Sequence, residues 1–281
     1  HLNMQKKYII LLVSIVLTAF TSGCKKKIKV QEDQIYSRHL QRQVKLSILS
    51  TPIPDDKSTL NILFLNDGQD LEKLHVKEIT DSLYKKDLIQ PLIIVGIIAG
   101  DRDKEYGVSE NPDYKGRGEK AGKYAAFIDD ELYFFTKKKA AVRKFKTVVL
   151  AGWGAGGLSA FDAAWDHADK IDKVGVLSGA FLFTDKSPED SAYADAENRI
   201  VLNKIKSSRK KPKLEYWFYG DAAENGMRYK DTVAINHTKD LIALLKTKNG
   251  YLAKIPEKKF NEIALIQYSS GTTGEIGRAH V

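Results

Sequence analysis

The chain has 281 residues, 43% of them apolar and 29% charged, which is enough to bury a sizeable core in one globular domain. Six of its nine excess positive charges come from lysines that precede residue 30. The rest of the chain has no basic stripe with interleaved aromatic residues, so the charge does not indicate a nucleic-acid partner.

The first 24 residues are predicted to be a lipoprotein signal peptide with a lipobox. Lys6 and Lys7 form a positive n-region, residues 8–20 are an apolar run too short to span a bilayer comfortably, and the stretch TSGC ends at Cys24. This resembles a bacterial lipoprotein signal, in which the peptide is cut before the cysteine and the thiol then carries a lipid. An uncleaved anchor and a plain signal peptide are the alternatives.

The leader therefore predicts an exported protein, lipid-anchored at the bacterial cell envelope on the periplasmic face or the cell surface. It contacts the membrane through the lipid anchor only. Because Cys24 is the single cysteine, an internal disulfide is excluded.

Residues 25–41 are predicted to be a polar connector, and residues 42–281 an α/β domain. Apolar strand-like runs alternate along this domain with stretches of helical period. Strands are predicted at 44–49, 60–65, 92–98, 147–150, 173–178, 213–219 and 263–268. Strands separated by helices indicate a mainly parallel sheet covered on both faces, a three-layer sandwich.

Ligands of such sheets bind at the carboxyl ends of the strands, and two turns at these ends are unusual. In LFLNDGQD, residues 63–70, Gly68 allows a sharp turn that aims the amide of Gln69 into a cleft, although an ordinary tight loop is the alternative. In VVLAGWGAGGLSAFDAAW, residues 148–165, a strand passes through four glycines into an amphipathic stretch, which is the layout of a nucleophile elbow. A phosphate-binding turn fits less well, because the P-loop lysine is absent and the glycine spacing differs.

Between about residue 60 and residue 245 the chain resembles the esterase family of α/β-hydrolases that includes enterochelin esterases, feruloyl and acetyl-xylan esterases and mycolyltransferases. The matching stretches follow the family's order and spacing: LFLNDGQDL, PLIIVGI, DRDKEYG, NPDYKGRGEKAGKYAAFIDDELYFF, AGWGAGGLSAFDAAWDHADKIDKVGVLSGAF and YWFYGDAAEN. The resemblance implies an α/β-hydrolase fold, carboxylic-ester chemistry through a serine nucleophile, and neither a cofactor nor a metal.

The resemblance also implies where the site lies. The family pattern Gly-x-Ser-x-Gly-Gly falls on residues 152–157, which puts Gly154 at the nucleophile position and the oxyanion amides at Gln69 and Ala155. Ser159 lies inside the following helix and is not expected to replace the nucleophile. The triad acid is implied at Glu224, with Asp221 as second choice and a solvated acidic loop as the alternative.

The triad base is implied at His280, in a glycine-containing tail. The family continues into a tryptophan and a closing helix, whereas this chain stops one residue later. Either the domain is truncated at its C-terminus, or the tail is foreign and His280 is accidental. The remaining histidines are expected to be structural, without metal-ligand spacing: His39, His75, His167 and His237.

Without a serine no acyl-enzyme ester can form. The sequence therefore predicts an impaired esterase that holds a small-molecule or glycan ester, siderophore-like for example, in its acyl cleft. Two alternatives stay open: a carboxylic-ester hydrolase, either with its serine changed in this sequence or using water, and a structural envelope protein. Arg102 and Glu105 are expected to form salt-bridged support for a lid, or else to reach the ligand, and the sequence indicates no oligomeric state.

Overall fold

The computed structural model describes residues 27–219 and 229–247. Within these ranges, seven strands form one sheet in the order β1-β2-β4-β3-β5-β6-β7. The strands are β1 Lys29–Ser37, β2 Arg42–Ser50, β3 Asn61–Asn66, β4 Leu92–Ile97, β5 Val148–Trp153, β6 Lys173–Leu177 and β7 Glu215–Tyr219. Strands β3 to β7 are parallel, while β1 and β2 form an antiparallel hairpin that joins the sheet at β4. The predicted mainly parallel sheet and the α/β-hydrolase-type fold are confirmed.

Seven of the eight described helices lie in the connections between the parallel strands, and the last one follows β7. They are α1 Val76–Lys85, α2 Arg102–Glu105, α3 Ala121–Ala126, α4 Tyr133–Ala140, α5 Ala155–Asp166, α6 Asp195–Asn198, α7 Ile200–Ser207 and α8 Tyr229–Thr247. A π-helical segment, Phe127–Leu132, runs directly from α3 into α4. No helix in the described ranges combines the length and the apolar character needed to cross a bilayer.

The sequence missed β1. Its residues, 29–37, were expected to belong to a polar connector, but they pair along the whole of β2, from Lys29 opposite Ser50 to Ser37 opposite Arg42. The strand KVQEDQIYS lies at the edge of the sheet and most of its side chains are exposed. Edge strands are commonly polar because this protects them from pairing with other chains, so hydrophobic patterning gave no signal. The expected strand at 263–268 lies outside the described residues.

The central helix α5 is buried on all sides, since every residue from Gly156 to Trp165 is buried. Phe161 lies at the middle of an aromatic cluster between α5, β7 and the segment after β6. Its ring centroid is 5.7–6.2 Å from the centroids of Trp165, Phe181, Tyr216 and Phe218. Most of these residues are apolar, and the buried carboxylate of Asp162 pairs with Lys204 (2.5 Å). A helix with apolar residues on every side is stable inside a core, and this burial holds the start of α5 against the end of β5.

Replacing Phe161 with alanine should lower the free energy of unfolding by about 3–5 kcal/mol, because a fully buried ring is removed and a cavity remains. The matched control is Phe134→Ala, at a ring that is 50% exposed on α4, where the loss should be below about 1 kcal/mol. Urea-induced unfolding of both variants measures the difference. Equal losses would show that the aromatic cluster does not carry the stability assigned to it.

Candidate active site

Gly154 alone forms the turn between β5, which ends at Trp153, and α5, which begins at Ala155. Its backbone has φ 52° and ψ −120°, a conformation that residues with a side chain rarely adopt. The Gly154 N–H donates to the carbonyl of Leu177 (3.0 Å), and its own carbonyl accepts from the N–H of Ala180 (2.9 Å). This conformation is strained for a residue with a side chain, and it is typical of the nucleophile position in a strand-to-helix elbow. The elbow conformation is thus present although the serine is not.

Space for a side chain exists at position 154 and not at its glycine neighbours. A Cβ added to Gly154 meets no atom within 4 Å. A Cβ on Gly152 would lie 2.5 Å from backbone atoms of Gly156, and one on Gly157 would lie 2.8 Å from the carbonyl oxygen of Gly152. These neighbours are glycines because β5 and α5 approach closely, whereas the site at 154 is open.

The turn after β3 is fixed directly against the start of α5. The buried Asn66 donates from Nδ2 to the carbonyl of Gly156 (2.8 Å) and accepts at Oδ1 from the Tyr124 hydroxyl (2.7 Å). Asp67 adopts a left-handed conformation with φ 61°, and its N–H donates to the Tyr106 hydroxyl (3.0 Å). Both tyrosines are buried, and burial raises the pKa of each, so their hydroxyls stay protonated and available to donate.

Gln69 and Ala155 lie at the carboxyl ends of β3 and β5, which are adjacent parallel strands. Gln69 is in the 3-10 turn Gly68–Asp70, whose hydrogen bonds come from the amides of Asp70 and Leu71. Ala155 is the first residue of α5, and the first amides of a helix have no partner within it. Both predicted amides are therefore at the same edge of the sheet, in the two turns that the Asn66 side chain joins.

A buried carboxylate lies beside this pair of turns. The side chain of Asp67 is 3% exposed and accepts from Arg102, with distances of 2.8 Å to Nε and 3.0 Å to Nη2. The Gln69 side chain donates to the same carboxylate from Nε2 (2.9 Å). The hydrogen bond to Asp67 raises the pKa of Arg102. Because the Arg102 side chain is 46% exposed, it offers a cation at the surface of the site while it neutralises Asp67.

Arg102 and Glu105 of the DRDKEYG turn are both in ion pairs, each with a partner that is distant in sequence. Arg102 pairs with Asp67, and Glu105 pairs with Arg42 at the start of β2, with distances of 2.7 and 2.6 Å. Local sequence spacing does not indicate either partner, because the pairs join residues that only the sheet brings together. The turn therefore ties the hairpin and the loop after β3 to one segment.

Glu224, Asp221 and His280, the residues implied for the acid and the base, lie outside the described residues, as does Cys24. Of the other histidines, His237 is buried, with Nδ1 2.9 Å from the carbonyl of Phe181 and Nε2 3.2 Å from Asp195. His39 lies 3.1 Å from Asp130. These contacts are those of histidines that hold parts of the fold together.

Among the described residues, one group of side chains has the spacing of metal ligands, and the expectation that His167 has no such spacing was wrong. Ligand atoms of Asp129, His167 and Asp169 lie within 4.8 Å of one another. The ammonium group of Lys170 is 2.8 Å from Asp129 Oδ2, so this carboxylate oxygen already has a cationic partner. The group lies at the opposite end of α5 from the elbow, where Asp129 is paired with Lys170 and His167.

The family described as "Putative esterase" matches residues 37–249 of this chain. No curated protein sequence matches significantly. Among solved structures, the enterobactin esterase of Shigella flexneri superposes with a TM-score of 0.58 at 18% identity, over 83% of this chain and 55% of that one. The chain thus spans about half the length of the enterobactin esterases it matches, 51–55%.

Two shorter proteins are similar in fold over most of their own length. An IroE-like serine hydrolase from Shewanella oneidensis has a TM-score of 0.56 at 20% identity, covering 84% of this chain and 77% of that one. A siderophore hydrolase, EstB, from Aspergillus nidulans has a TM-score of 0.60 at 15% identity, covering 80% of this chain and 86% of that one. At these identities the likeness establishes the fold.

Gly156→Ala should lower the free energy of unfolding by about 1–3 kcal/mol, because the new Cβ would lie 2.8 Å from Asp67 Oδ2 and 3.2 Å from Asn66 Cβ. Gly122→Ala on α3 is the matched control. Its Cβ meets nothing closer than 3.8 Å, so it should be neutral or stabilise by up to about 1 kcal/mol. Thermal unfolding of the two variants measures both effects, and a neutral Gly156→Ala would contradict the tight contact between the two turns.

Proposed function

Because the chain belongs to the Putative esterase family, we propose that it binds an ester-bearing ligand in the cleft of an α/β-hydrolase and hydrolyses it at most slowly. The observation that carries this proposal is Gly154. It keeps the elbow backbone, with φ 52°, but has no hydroxyl to attack an ester. An elbow backbone without a nucleophile favours binding of a ligand over its hydrolysis.

The chemistry of the missing group sets the size of the impairment. Serine hydrolases form a covalent ester on the nucleophile, so glycine removes the first chemical step altogether. Loss of a triad member typically lowers turnover by about 10⁶-fold, while ligand binding and the oxyanion hole still supply about 10³-fold over water. Residual hydrolysis by an activated water is therefore compatible with the proposal, and efficient turnover is not.

In the proposed site, backbone amides bind the ester. We assign the amides of Gln69 and Ala155 to the carbonyl oxygen of the bound ester, because amide donors do not depend on the side chain of the residue that carries them. The hydrogen bonds from Asn66 to Gly156 and from Arg102 to Asp67 hold the two turns in place. Glu224 and His280 are the proposed acid and base, by the family pattern.

The proposed ligand is a small-molecule or glycan ester, siderophore-like for example. Structures of enterobactin esterases have been solved in the presence of enterobactin and of 2,3-dihydroxy-N-benzoyl-serine, which supports a siderophore-like ester as the first choice. The exposed face of Arg102 suits an anionic or catechol-like group beside the ester.

A second candidate is an active carboxylic-ester hydrolase with serine at position 154 in the natural gene. Two features favour it: the strained backbone of Gly154 and the open space where a Cβ would stand. Glycine imposes neither feature on the chain, and both are what a serine at this position requires.

Gly154→Ser separates these candidates. If the acid and base are in place, turnover of short p-nitrophenyl esters should rise by at least about 10²-fold, because the hydroxyl meets a preformed base. Gly154→Ala is the control, since it adds the same Cβ and the same backbone strain of about 1–3 kcal/mol without the hydroxyl. Circular dichroism of all three proteins checks folding.

A folded serine variant with no gain over the alanine variant would show that the loss of catalysis extends beyond one side chain, which favours binding or a structural role. Wild-type turnover equal to that of the serine variant would overturn the argument from the missing nucleophile.

We also propose that the mature protein begins at Cys24 and is lipidated there. Cells labelled with radioactive palmitate should yield a labelled protein, and Cys24→Ala should abolish the label because no other cysteine is present. Mass spectrometry of the amino-terminal peptide checks the cleavage site. An intact leader on an unlabelled wild-type protein would refute the proposed anchor.

A further inference from the structure

The two ends of the parallel strands form two sides of the sheet, which differ in character and are called the carboxyl edge and the amino edge below. At the carboxyl edge, where β3 to β7 end, lie Gly154 and the turn after β3. At the amino edge, where these strands begin, Asn61 pairs with Leu92 and Lys173 pairs with Glu215. The edges are about 20 Å apart, because a six-residue strand rises about 3.3 Å per residue.

The described chain enters the fold at the amino edge. β1 starts at Lys29, which pairs with Ser50, and Ser50 in turn pairs with Ile93 near the start of β4. The proposed lipid anchor, Cys24, is only three residues before Lys27, the first described residue. Three residues reach at most about 11 Å. An anchor at Cys24 therefore holds the β1 end of this edge close to the bilayer.

The amino edge is also rich in exposed cations. The segments that lead into β5 and β7 contribute six exposed side chains that form no ion pair within the described residues: Arg143, Lys144, Lys146, Arg209, Lys211 and Lys213. Lys27 and Lys29 are exposed where the chain enters. The acidic residues near this edge include Asp129, Asp166 and Glu215, which pair with Lys170, Lys210 and Lys173. The other acidic residues near it are fewer than the exposed cations named above: Asp55, Asp56, Asp87, Asp169 and Asp172.

Part of this surface is concave. A shallow depression between the segment before β3 and the segment before β5 is lined by Lys57, Arg143, Lys144 and Lys146. Lys57 also donates to the carbonyl of Ala140 (3.0 Å), which fixes its position. A depression with four cations at its wall suits a phosphate-bearing headgroup.

We propose that the amino edge docks on an anionic phospholipid bilayer, so that the edge carrying Gly154 faces away from the membrane. The proposal rests on the lipid anchor at Cys24 put forward above. The short tether keeps the β1 end of this edge close to the surface. Docking of the whole edge would bring the cations before β5 and β7, four and six strands along the sheet, within the range of about 10 Å over which such charges act. Each cation at an anionic membrane strengthens binding by roughly fivefold, and the cations named above come from four separate segments of the chain.

The orientation fixes how a ligand arrives. The candidate cleft lies about 20 Å beyond the docked edge, so an ester reaches Gly154 from the aqueous side and not from within the bilayer. The basic surface thus adds a second membrane contact to the lipid and sets the direction of the cleft.

The test uses the full chain, expressed in bacteria, extracted with detergent and reconstituted into vesicles. One set contains phosphatidylcholine alone, and the other contains about one third phosphatidylglycerol, which supplies the anionic surface. Brief treatment with an amine-acetylating reagent, followed by mass spectrometry, reports the exposure of each lysine. The mass of the amino-terminal peptide reports lipidation at Cys24 in the same sample.

We expect acetylation of Lys144 and Lys211 to slow by at least about fivefold on anionic vesicles. The exposed Lys73, which follows β3 at the carboxyl edge, should react equally on both kinds of vesicle. The difference should disappear in 1 M salt, where charges are screened beyond about 3 Å.

Two charge-matched variants complete the test. Exchanging Lys144, Lys146, Lys211 and Lys213 for glutamine should remove the protection that anionic lipid gives to Arg143 and Arg209, read with an arginine-selective reagent. Exchanging Lys73, Lys77, Lys104 and Lys115 for glutamine should leave that protection unchanged.

Equal acetylation on both vesicles, with Cys24 lipidated, would overturn the docking surface alone and leave the anchor standing. Protection that appears on adding heparin and not on adding anionic lipid would also overturn it, by assigning the edge to anionic polymers. An unlipidated Cys24 would overturn the anchor and the orientation together.

Discussion

The close approach of β5 and α5 is the constraint from which the rest of the site follows. A strand and a helix joined by one residue can meet only if the facing positions carry no side chains, which is why a Cβ on Gly152 or Gly157 would collide with backbone. Burial of α5 on all sides then stabilises the contact between α5 and β5. The turn after β3 is aligned to the same helix through Asn66 and Gly156, so two loops that are distant in sequence form one cleft.

The parts of the fold visible in the sequence are those that hydrophobic patterning controls. Buried parallel strands are apolar on both faces, and β2 to β7 could be predicted because each is a short apolar run between helical stretches. β1 could not, because an edge strand is stabilised by its hydrogen bonds to β2 while its side chains face water. Its polar sequence does not differ from that of a linker.

The candidate site likewise has a part that the sequence predicts and a part that it does not. The turn between β5 and α5 could be predicted because glycines at this spacing are typical of a tight strand-to-helix turn, and Gly154 has a positive φ there. The partners of Asp67 and Glu105 could not, since Arg102 and Arg42 come near them only after the sheet has assembled. Asp129 and His167 likewise meet at the end of α5 without any local motif. Ion pairs between distant segments depend on topology, which residue spacing does not encode.

The backbone at Gly154 has a consequence for how this lineage can change. A serine at φ 52° costs about 1–3 kcal/mol of strain, and glycine, which has no Cβ, is largely free of that cost. Exchange of serine for glycine is therefore a stabilising substitution for a domain whose whole stability is about 5–15 kcal/mol. Once a ligand-binding role no longer needs the hydroxyl, that gain can absorb destabilising changes elsewhere in the chain. Each such change would make a serine at this position harder to tolerate, so a domain that binds its ligand without the hydroxyl would tend to keep glycine there.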